Sequence, residues 1–455
     1  MVWAKGRSAP RPGALGAAAA LIVSFSLAFL PLGLGAGFVP RALAAPATGT
    51  HGPYSPTVDQ CAICHRTHTG QGRNLVNKPA PQSTLCFTCH DGLGANTNVE
   101  AQYTDPLVPA NNAANREYYR HDALVATTHT RAELDEFGGV SNRHSECGDC
   151  HNAHTANAAD ATQTTTGWTA SGRVADTSGV SVVNGPAGTA PTYMFRNGTT
   201  TPITLEYQLC FKCHSGFTVL PSNTGFTPSQ YLLDKGVELN PSNPSYHPIE
   251  APGKNTTAKM AASLSGASPY RQWTFTIGST IRCSNCHASS TRYNQTTPPA
   301  AGGDLPPHTS QYQGVLLQNY RDRVLKSSAE AYSNADFALC FLCHSNVPFA
   351  SETTTATNFR YHGLHLSKLA GMGAGGTSID TPGAGQGNAL CAECHFRIRS
   401  TTYKNGSQSI PGSRLVSFAP DVQPVGTTLS WRSTGTGTGS CTLTCHGQKH
   451  NPETY

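Results

Sequence analysis

Alternation between apolar and polar residues is weak along this chain, and it marks only a few short elements. Alternating patterns over 201–207 and 272–281 predict two short strands. Helix-forming residues over 319–344 predict a short helix that runs into a pair of cysteines. Polar tracts such as 157–179 and 431–440 are typical of loops. The pattern therefore predicts a mostly irregular fold with short α-helices and a few short β-hairpins.

The N-terminal segment differs from the rest, because it combines a basic start with one long apolar run over 14–39. Small residues at 42–44 fit the cleavage site of an export signal, so we predict a signal peptide over 1–44. The alternative is an uncleaved membrane anchor, since the run is long enough to span a bilayer. No later segment is apolar enough to cross a membrane. We expect an exported protein, extracellular, at the cell surface or in the periplasm, with no membrane span after cleavage.

The composition gives little material for a large apolar core. Only 38% of the residues are hydrophobic, whereas there are 45 glycines and 31 prolines. Something other than side chains must therefore fill the interior if the chain is ordered. The formal charge of +5 includes four basic residues of the predicted signal, so the mature chain is near +1. This balance argues against a nucleic-acid-binding surface.

All 16 cysteines occur in pairs, and a histidine directly follows every pair. Seven pairs have the spacing CxxCH, and the last has CxxxCH. Exported proteins commonly join cysteines as disulfides, and zinc sites also use paired cysteines, but neither requires the adjacent histidine. CxxCH is the attachment motif of c-type haem, in which each thiol forms a thioether. The predicted thioether cysteines are Cys61, Cys64, Cys86, Cys89, Cys147, Cys150, Cys210, Cys213, Cys283, Cys286, Cys340, Cys343, Cys391, Cys394, Cys441 and Cys445.

Each motif histidine is predicted to be one axial ligand of its haem iron. These proximal ligands are His65, His90, His151, His214, His287, His344, His395 and His446. The chain is thus expected to carry eight covalently bound haem c groups, whose large apolar bodies compensate for the small core. We expect each CxxCH to lie on a short helix. In the last motif, the residues over 442–444 are expected to bulge and absorb the additional residue.

The second axial ligands are predicted to be histidines rather than methionines. The chain after the signal has only three methionines but eleven histidines outside the motifs. This number suffices for bis-histidine ligation of every haem and leaves no open iron. The candidates are His51, His68, His121, His144, His154, His247, His308, His362, His365 and His450, with His129 as the expected bystander. The sequence does not choose between His121 and His144, or between His362 and His365.

Two of these candidates stand three residues after a motif histidine. His68 follows His65, and His154 follows His151. Residues at this spacing share one face of a helical turn. Each second histidine is therefore placed to reach a neighbouring haem and to fix two irons close together.

An internal repeat organises the motifs. The sequences LCFTCH, LCFKCH and LCFLCH begin at positions 85, 209 and 339, and each closes a unit that another motif opens. We predict haem-pair units over 45–98, 99–225, 226–350 and 351–455, joined in one continuous body. Each unit contains two motif histidines and two further ligands. These further ligands are His51 and His68, His121 or His144 with His154, His247 with His308, and His362 or His365 with His450.

These motifs resemble those of the doubled-CxxCH multihaem c-type cytochromes. Within that group, the chain is similar to outer-surface cytochromes of metal-reducing bacteria, some of which polymerise into haem nanowires. The resemblance implies stacked haems wrapped by loops and, in a filament, a histidine of one subunit that ligates a haem of the next. His51 is the position that matches this histidine. The CxxxCH at 441 and the absence of a CHxxH at 287 depart from the family pattern.

The leading hypothesis is an electron carrier that works outside the cytoplasm and passes electrons along stacked bis-histidine haems. Its predicted partners are other multihaem cytochromes or extracellular electron acceptors, and further copies of itself in a filament. The alternative is an octahaem oxidoreductase that acts on small nitrogen or sulfur compounds at one open haem. The surplus of histidines and the absence of a CxxCK motif argue against that enzyme. A third hypothesis is an adhesive surface protein whose haems are incidental.

Overall fold

Short helical turns joined by irregular chain make up most of the part of the protein that the structure describes. The computed structural model describes residues 51, 58–95, 97–112, 117–126, 144–218, 234–290, 302–303, 305–369, 378–382, 387–396 and 414–455. The predicted signal over 1–44 and the predicted bystander His129 lie outside the described residues. The described chain belongs to one compact unit that spans Leu43–Tyr455.

The helices are short wherever the chain is described. Among them the longest has nine residues, and it ends at the histidine of a haem motif. The α-helices are α1 (Val58–Cys64), α2 (Ser83–Cys86), α3 (Glu100–Thr104), α4 (Cys147–Cys150), α5 (Glu206–His214), α6 (Lys235–Leu239), α7 (Ala258–Ser265), α8 (Ala338–Phe341), α9 (His362–Ser367) and α10 (Cys391–Cys394). Turns of 3-10 helix cover Arg73–Leu75, Gly172–Val174, Cys283–Asn285, Asn334–Phe337 and Val347–Phe349. No helix within the described ranges has the length and apolar character that a membrane crossing requires.

The strands form small antiparallel sheets. They are β1 (Gln163–Thr164), β2 (Gly167–Trp168), β3 (Gly179–Val183), β4 (Thr192–Arg196), β5 (Ser430–Gly435), β6 (Thr438–Cys445) and β7 (Gln448–Thr454). β1 pairs with β2, and β3 pairs with β4 in a register that sets Val180 opposite Phe195. β5, β6 and β7 form a C-terminal meander with β6 in the centre. The expectation of a mostly irregular fold with short helices and a few hairpins is confirmed.

The strand predicted over 272–281 is wrong. This segment is irregular, because its backbone groups bond to separate loops instead of to one partner strand. The N–H of Gln272 donates to the carbonyl of Leu342 at 3.0 Å, and the N–H of Ile281 donates to the carbonyl of Pro248 at 2.8 Å. Side-chain alternation alone therefore did not create a ladder here.

The strand predicted over 201–207 is also wrong, since its end is the start of α5. The side-chain oxygen of Gln208 accepts hydrogen bonds from the N–H groups of Thr204, at 2.9 Å, and Leu205, at 3.2 Å. These bonds satisfy N–H groups at the start of the helix and so favour helix over strand. In the predicted helix over 319–344, helical structure begins only at Asn334.

The apolar core consists of small clusters that border the motif cysteines. One cluster buries Phe337, Phe341 and Phe396, and Cys340 and Cys391 pack against it. Three other clusters also have motif cysteines packed against them. These cysteines are Cys286 and Cys343 at the second cluster, Cys283 at the third, and Cys394, Cys441 and Cys445 at the fourth. The side chains that are best packed thus surround the predicted attachment points. That the chain wraps haems remains a prediction from the sequence.

Candidate haem-attachment and ligand sites

Seven of the eight motifs lie on a helical turn, as the sequence predicts. In six of them the histidine N–H donates to the carbonyl of the first cysteine, and the N–O distances are 2.9 Å for His65 and Cys61, 3.0 Å for His90 and Cys86, 2.9 Å for His151 and Cys147, 2.9 Å for His287 and Cys283, 3.0 Å for His344 and Cys340, and 2.8 Å for His395 and Cys391. The seventh motif lies within α5, which ends at His214. A helical turn brings residues three and four apart onto one face. Both thiols and the imidazole can therefore approach one side of a haem.

Side chains within three motifs hold these turns in shape. In each, the residue before the second cysteine accepts a hydrogen bond from the N–H of the residue before the first cysteine. The bonds join Asp149 Oδ2 to Glu146 N at 2.7 Å, Asn285 Oδ1 to Arg282 N at 2.7 Å, and Glu393 Oε2 to Leu390 N at 2.5 Å. Such caps satisfy a backbone donor that the short helix leaves without a partner. These capping residues were not predicted, although an Asp, Asn or Glu directly before the second cysteine is visible in the sequence.

The motif histidines are oriented by hydrogen bonds at Nδ1. The partners are the carbonyls of Asn74 for His65 (2.9 Å), Arg173 for His151 (2.9 Å), Gly314 for His287 (2.8 Å), Leu415 for His395 (3.2 Å) and Gly387 for His446 (2.8 Å), and the hydroxyls of Thr97 for His90 (3.2 Å) and Ser263 for His344 (3.1 Å). A carbonyl can only accept, so the imidazole beside it carries its proton on Nδ1. The lone pair then lies on Nε2. Metal-bound histidines commonly have this arrangement, so the donor set fits haem iron.

Four motif histidines face a second histidine at a regular separation. The ring centroids are 5.7 Å apart for His51 and His90, 6.1 Å for His65 and His154, 6.0 Å for His121 and His214, and 6.1 Å for His151 and His308. Metal–imidazole nitrogen distances are about 2 Å, so two imidazoles on opposite faces of one metal ion have centroids about 6 Å apart. These four pairs fit one shared iron each.

Two of the pairs join different predicted haem-pair units. His154, in the second unit, faces His65 of the first. His308, in the third unit, faces His151 of the second. The candidate histidine inside each of these units thus lies beside a motif histidine of the preceding unit. The described pairs therefore cross the boundaries that the repeat suggests.

His51 and His68 occupy different surroundings. The Nε2 atom of His51 lies 3.4 Å from Nε2 of His90, in the same chain. His51 therefore lies beside a motif histidine of its own chain. His68 is exposed and makes no hydrogen bond, ion pair or ring contact with any residue that the structure describes.

Further candidates lie near the C-terminal motifs. Burial and the neighbouring His247 lower the pKa of His344 to about 4. Burial and the neighbouring His395 lower the pKa of His362 to about 3. Burial also lowers the pKa of His365, and His450 and His446 lower it further. His362 thus lies near His395, whereas His365 lies near His446. Because the two lie near different motif histidines, both can be candidates, and neither excludes the other.

For the second open choice, the geometry favours His121. Its ring faces His214, and its Nδ1–H donates to the carbonyl of Pro307 at 2.6 Å. The Nε2 atom of His144 instead lies 3.8 Å from Oε1 of Glu146. Of the two histidines, His121 is therefore the one whose ring is shown to face a motif histidine in the described chain.

The last motif departs from the others, because it lies on strand β6 and not on a helix. In a strand, residues four apart have Cα atoms roughly 13 Å apart. The expected bulge over 442–444 is wrong, because the additional residue of the nearby β-bulge belongs to β7 and not to β6. Cys441 pairs with Glu453 and Leu443 pairs with His450, so one residue of β6 lies opposite two residues of β7. In this conformation Cys441 and Cys445 do not fit the two thioethers of one haem, and haem attachment there remains a prediction from the sequence.

Two carboxyl groups are buried beside this motif. Glu393 is 0% exposed and Asp421 is 1% exposed. Glu393 Oε1 contacts Nε2 of His446 and lies 3.8 Å from Sγ of Cys445. Burial and the charge of Glu393 raise the pKa of Asp421 well above its usual range. The atom of His446 that would face an iron therefore already contacts the carboxyl group of Glu393.

Thiols of successive motifs are neighbours throughout the described chain. The neighbouring thiols are Cys64 and Cys86, Cys147 and Cys86, Cys150 and Cys213, Cys210 and Cys283, Cys340 and Cys286, Cys391 and Cys340, and Cys394 and Cys441. In each pair, the pKa of the first-named thiol is raised, mainly by burial and, for Cys147 and Cys210, by a hydrogen bond to the other thiol. The charge of the second thiol raises the same pKa further. The predicted attachment points thus follow one another through the fold in sequence order.

A family model described as the doubled CXXCH motif matches residues 51–95, which contain the first two motifs. No curated protein and no solved structure matches the chain. The match supports covalently bound haem c and a multihaem c-type cytochrome, for which electron transfer is the expected role.

Proposed function

We propose that this protein is an octahaem c-type cytochrome that carries electrons outside the cytoplasm. The line of neighbouring thiols from Cys64 to Cys441 is the observation that supports this best. Haems attached to motifs that are neighbours in space would lie close enough to exchange electrons. Haem c supplies reversible one-electron chemistry of its iron when it is bound. The chain attaches the cofactors, sets their spacing and supplies their axial ligands.

The ring pairs support a specific set of second ligands. We assign His51 to the haem of His90, His154 to that of His65, His308 to that of His151, and His121 to that of His214. The proximity of His247 to His344 and of His362 to His395 supports the same roles for these two histidines. Imidazole on both faces keeps reduction potentials below those of Met/His haems. It also leaves no open coordination position for a substrate.

Mass spectrometry of the exported protein tests the haem count. We expect the mass of the processed chain plus eight haems. The double variant Cys441→Ala/Cys445→Ala should lose one haem, just as the matched control Cys86→Ala/Cys89→Ala does. A wild-type protein with seven haems, and a C-terminal variant of unchanged haem content, would show that CxxxCH carries none. Free thiols at most motifs would reject the cytochrome altogether.

We also propose that the protein acts at the cell surface or beyond, as a polymer whose copies donate electrons to extracellular acceptors or to other multihaem cytochromes. This part depends on the family resemblance and on two observations. His51 has a partner within its own chain, whereas the exposed His68 has an imidazole available to a second copy. His68 therefore replaces His51 as the candidate ligand between subunits.

Electron microscopy of secreted protein tests the polymer. We expect filaments from the wild-type chain and shortened or absent filaments from His68→Ala, because the ligand that joins two copies is lost. His51→Ala should instead expose one iron within each copy, and so give a high-spin signal even in monomers. A wild-type protein that remains strictly monomeric at all concentrations would contradict the proposal.

One observation favours a second candidate function, that of an octahaem oxidoreductase. At the last motif, Nε2 of His446 contacts Glu393, and Glu393 raises the pKa of the buried Asp421. If this motif left strand β6 and held a haem, a buried acid beside its iron would suit the reduction of small oxyanions. The spectrum of the oxidised wild-type protein decides between the two functions. A high-spin fraction supports the oxidoreductase, and wholly low-spin iron supports the carrier.

A further inference from the structure

The sixth haem motif, Cys340–His344, is held by a segment that comes long before it in the chain. Three consecutive carbonyls of the motif, those of residues 341–343, accept hydrogen bonds from this segment. In that order, the donors are Oγ of Ser268 at 2.7 Å, the N–H of Gln272 at 3.0 Å and the guanidinium of Arg271. The turn that carries both thiols is therefore fixed from outside the motif.

Arg271 joins this motif to the end of helix α7. Its guanidinium also donates to the carbonyls of Ser263 at 3.2 Å, Leu264 at 2.8 Å and Gly266 at 2.5 Å. The carbonyl of Ser263 accepts a second hydrogen bond, at 2.8 Å, from the N–H of Ser345, which directly follows the motif. The backbone of Ser263 is thus held in a defined position beside the motif.

The hydroxyl of Ser263 is the partner of the motif histidine. Its Oγ lies 3.1 Å from Nδ1 of His344. Iron ligation through Nε2 leaves the proton of the imidazole on Nδ1, so the hydroxyl accepts this hydrogen bond. Among the other motif histidines with a described partner at Nδ1, five have a backbone carbonyl, and His90 has the hydroxyl of the exposed Thr97. Ser263 is therefore the partly buried hydroxyl of this set.

The acceptor at Nδ1 influences the iron through the imidazole ring. An amide carbonyl is a stronger acceptor than an alcohol hydroxyl, because its oxygen carries more negative charge. A stronger acceptor draws on the Nδ1 proton and makes the imidazole a more basic ligand. A more basic ligand stabilises the oxidised iron, which has the higher charge, and so lowers the reduction potential. Hydrogen bonds to the ligands are among the means by which a protein sets haem potentials.

We propose that Ser263 tunes the haem of the sixth motif, and that its hydroxyl holds the reduction potential of this haem above the value that a carbonyl partner would give. Ser263 acts through His344 and does not touch the iron, so it is a positioning residue and not a ligand. The inference rests on the proposed function, since it needs a haem at this motif. It assigns one step in the potentials along the conduit to a single side chain.

Redox titration of the holoprotein, followed by its visible spectrum, tests this inference with two substitutions of equal shape. Ser263→Thr keeps the hydroxyl and should keep the wild-type curve. Ser263→Val has the shape of threonine but no acceptor, so the part of the titration that belongs to one haem in eight should shift to higher potential. Ser263→Asn offers a neutral amide carbonyl, so the same part should shift to lower potential. Ser265→Val changes an exposed serine of the same helix and should leave the curve unchanged.

Equal curves for Ser263→Thr and Ser263→Val overturn the inference. Shifts of Ser263→Val and Ser263→Asn in the same direction also overturn it, because a merely structural disturbance would produce them. The charge of Arg271 is present in every variant and so does not contribute to the comparison. If valine at 263 prevents haem attachment, the comparison of Ser263→Asn with Ser263→Thr still decides.

The mass of each variant separates failure of this inference from failure of the proposed function. Variants with full haem content and no shift reject only the role of Ser263, whereas a wild-type protein without haems rejects the conduit itself.

Discussion

Replacement of His308 by alanine is expected to convert one haem in eight from low-spin to high-spin. The ring centroids of His308 and His151 are 6.1 Å apart. Burial lowers the pKa of His308 to about 3, so its imidazole is neutral and able to bind a metal at neutral pH. Without it, the haem at Cys147 and Cys150 loses its sixth ligand. Electron paramagnetic resonance of the oxidised protein measures the change.

The matched control is His68→Ala, measured on monomeric protein. His68 is exposed and makes no contact with another histidine within the described chain, so its loss should leave the spectrum of the monomer the same as that of the wild-type monomer. A mass that corresponds to the full set of haems must accompany both variants. Equal spectra for His308→Ala and wild type would show that His308 is not an axial ligand. They would also contradict the proposal that a histidine of the third unit ligates a haem of the second.

Replacement of Arg282 by methionine is expected to lower the free energy of unfolding by about 3–5 kcal/mol. Arg282 donates to Oε2 of Glu206 at 2.5 Å and to the carbonyl of Gly303 at 2.8 Å, and the two side chains of the ion pair are 5% and 10% exposed. Loss of the guanidinium leaves the carboxylate of Glu206 buried without its counter-charge. Because Glu206 begins α5, which contains the fourth motif, and Arg282 directly precedes Cys283 of the fifth, the substitution should destabilise the packing between these two motifs. Guanidinium denaturation followed by far-ultraviolet circular dichroism measures it.

Arg173→Met is the control for this change. Arg173 lies 3.4 Å from Asp160, but the side chains of this pair are 31% and 60% exposed. Water already solvates both charges, so loss of this ion pair should lower the free energy of unfolding by about 0–1 kcal/mol. Equal shifts of the denaturation midpoint in the two variants would mean that the buried pair has no special role in holding the two motifs together.

The attachment chemistry could be predicted from the sequence because it is local. Two thiols and an imidazole within five residues specify a turn that presents all three groups together, and seven motifs adopt that turn. The eighth shows the limit of this reasoning. Its residues pair with β5 and β7, and these ladders override any preference of the motif for a bulge or a helix.

The predicted strands were wrong for a related reason. A period of two specifies which faces the side chains occupy, but a strand also needs a partner with matching register. Residues 272–281 have no such partner within the described chain. At 201–207, the side chain of Gln208 accepts backbone N–H groups and so favours the start of α5 at Glu206. The burial of the ionisable side chains of Lys212 and Asp421 could not be predicted either, since nothing in their local sequence separates them from solvated surface residues.

The sequence by itself determined the inventory of this protein: eight cysteine pairs with their histidines, a surplus of further histidines, and too little apolar material for a conventional core. Only the tertiary structure decided which histidine faces which. His65 meets His154 and His151 meets His308, across long stretches of chain. The physical reason is that thioether attachment depends on neighbours along the chain, whereas a second axial ligand depends on distance in space, and a loop-rich chain leaves that distance to packing.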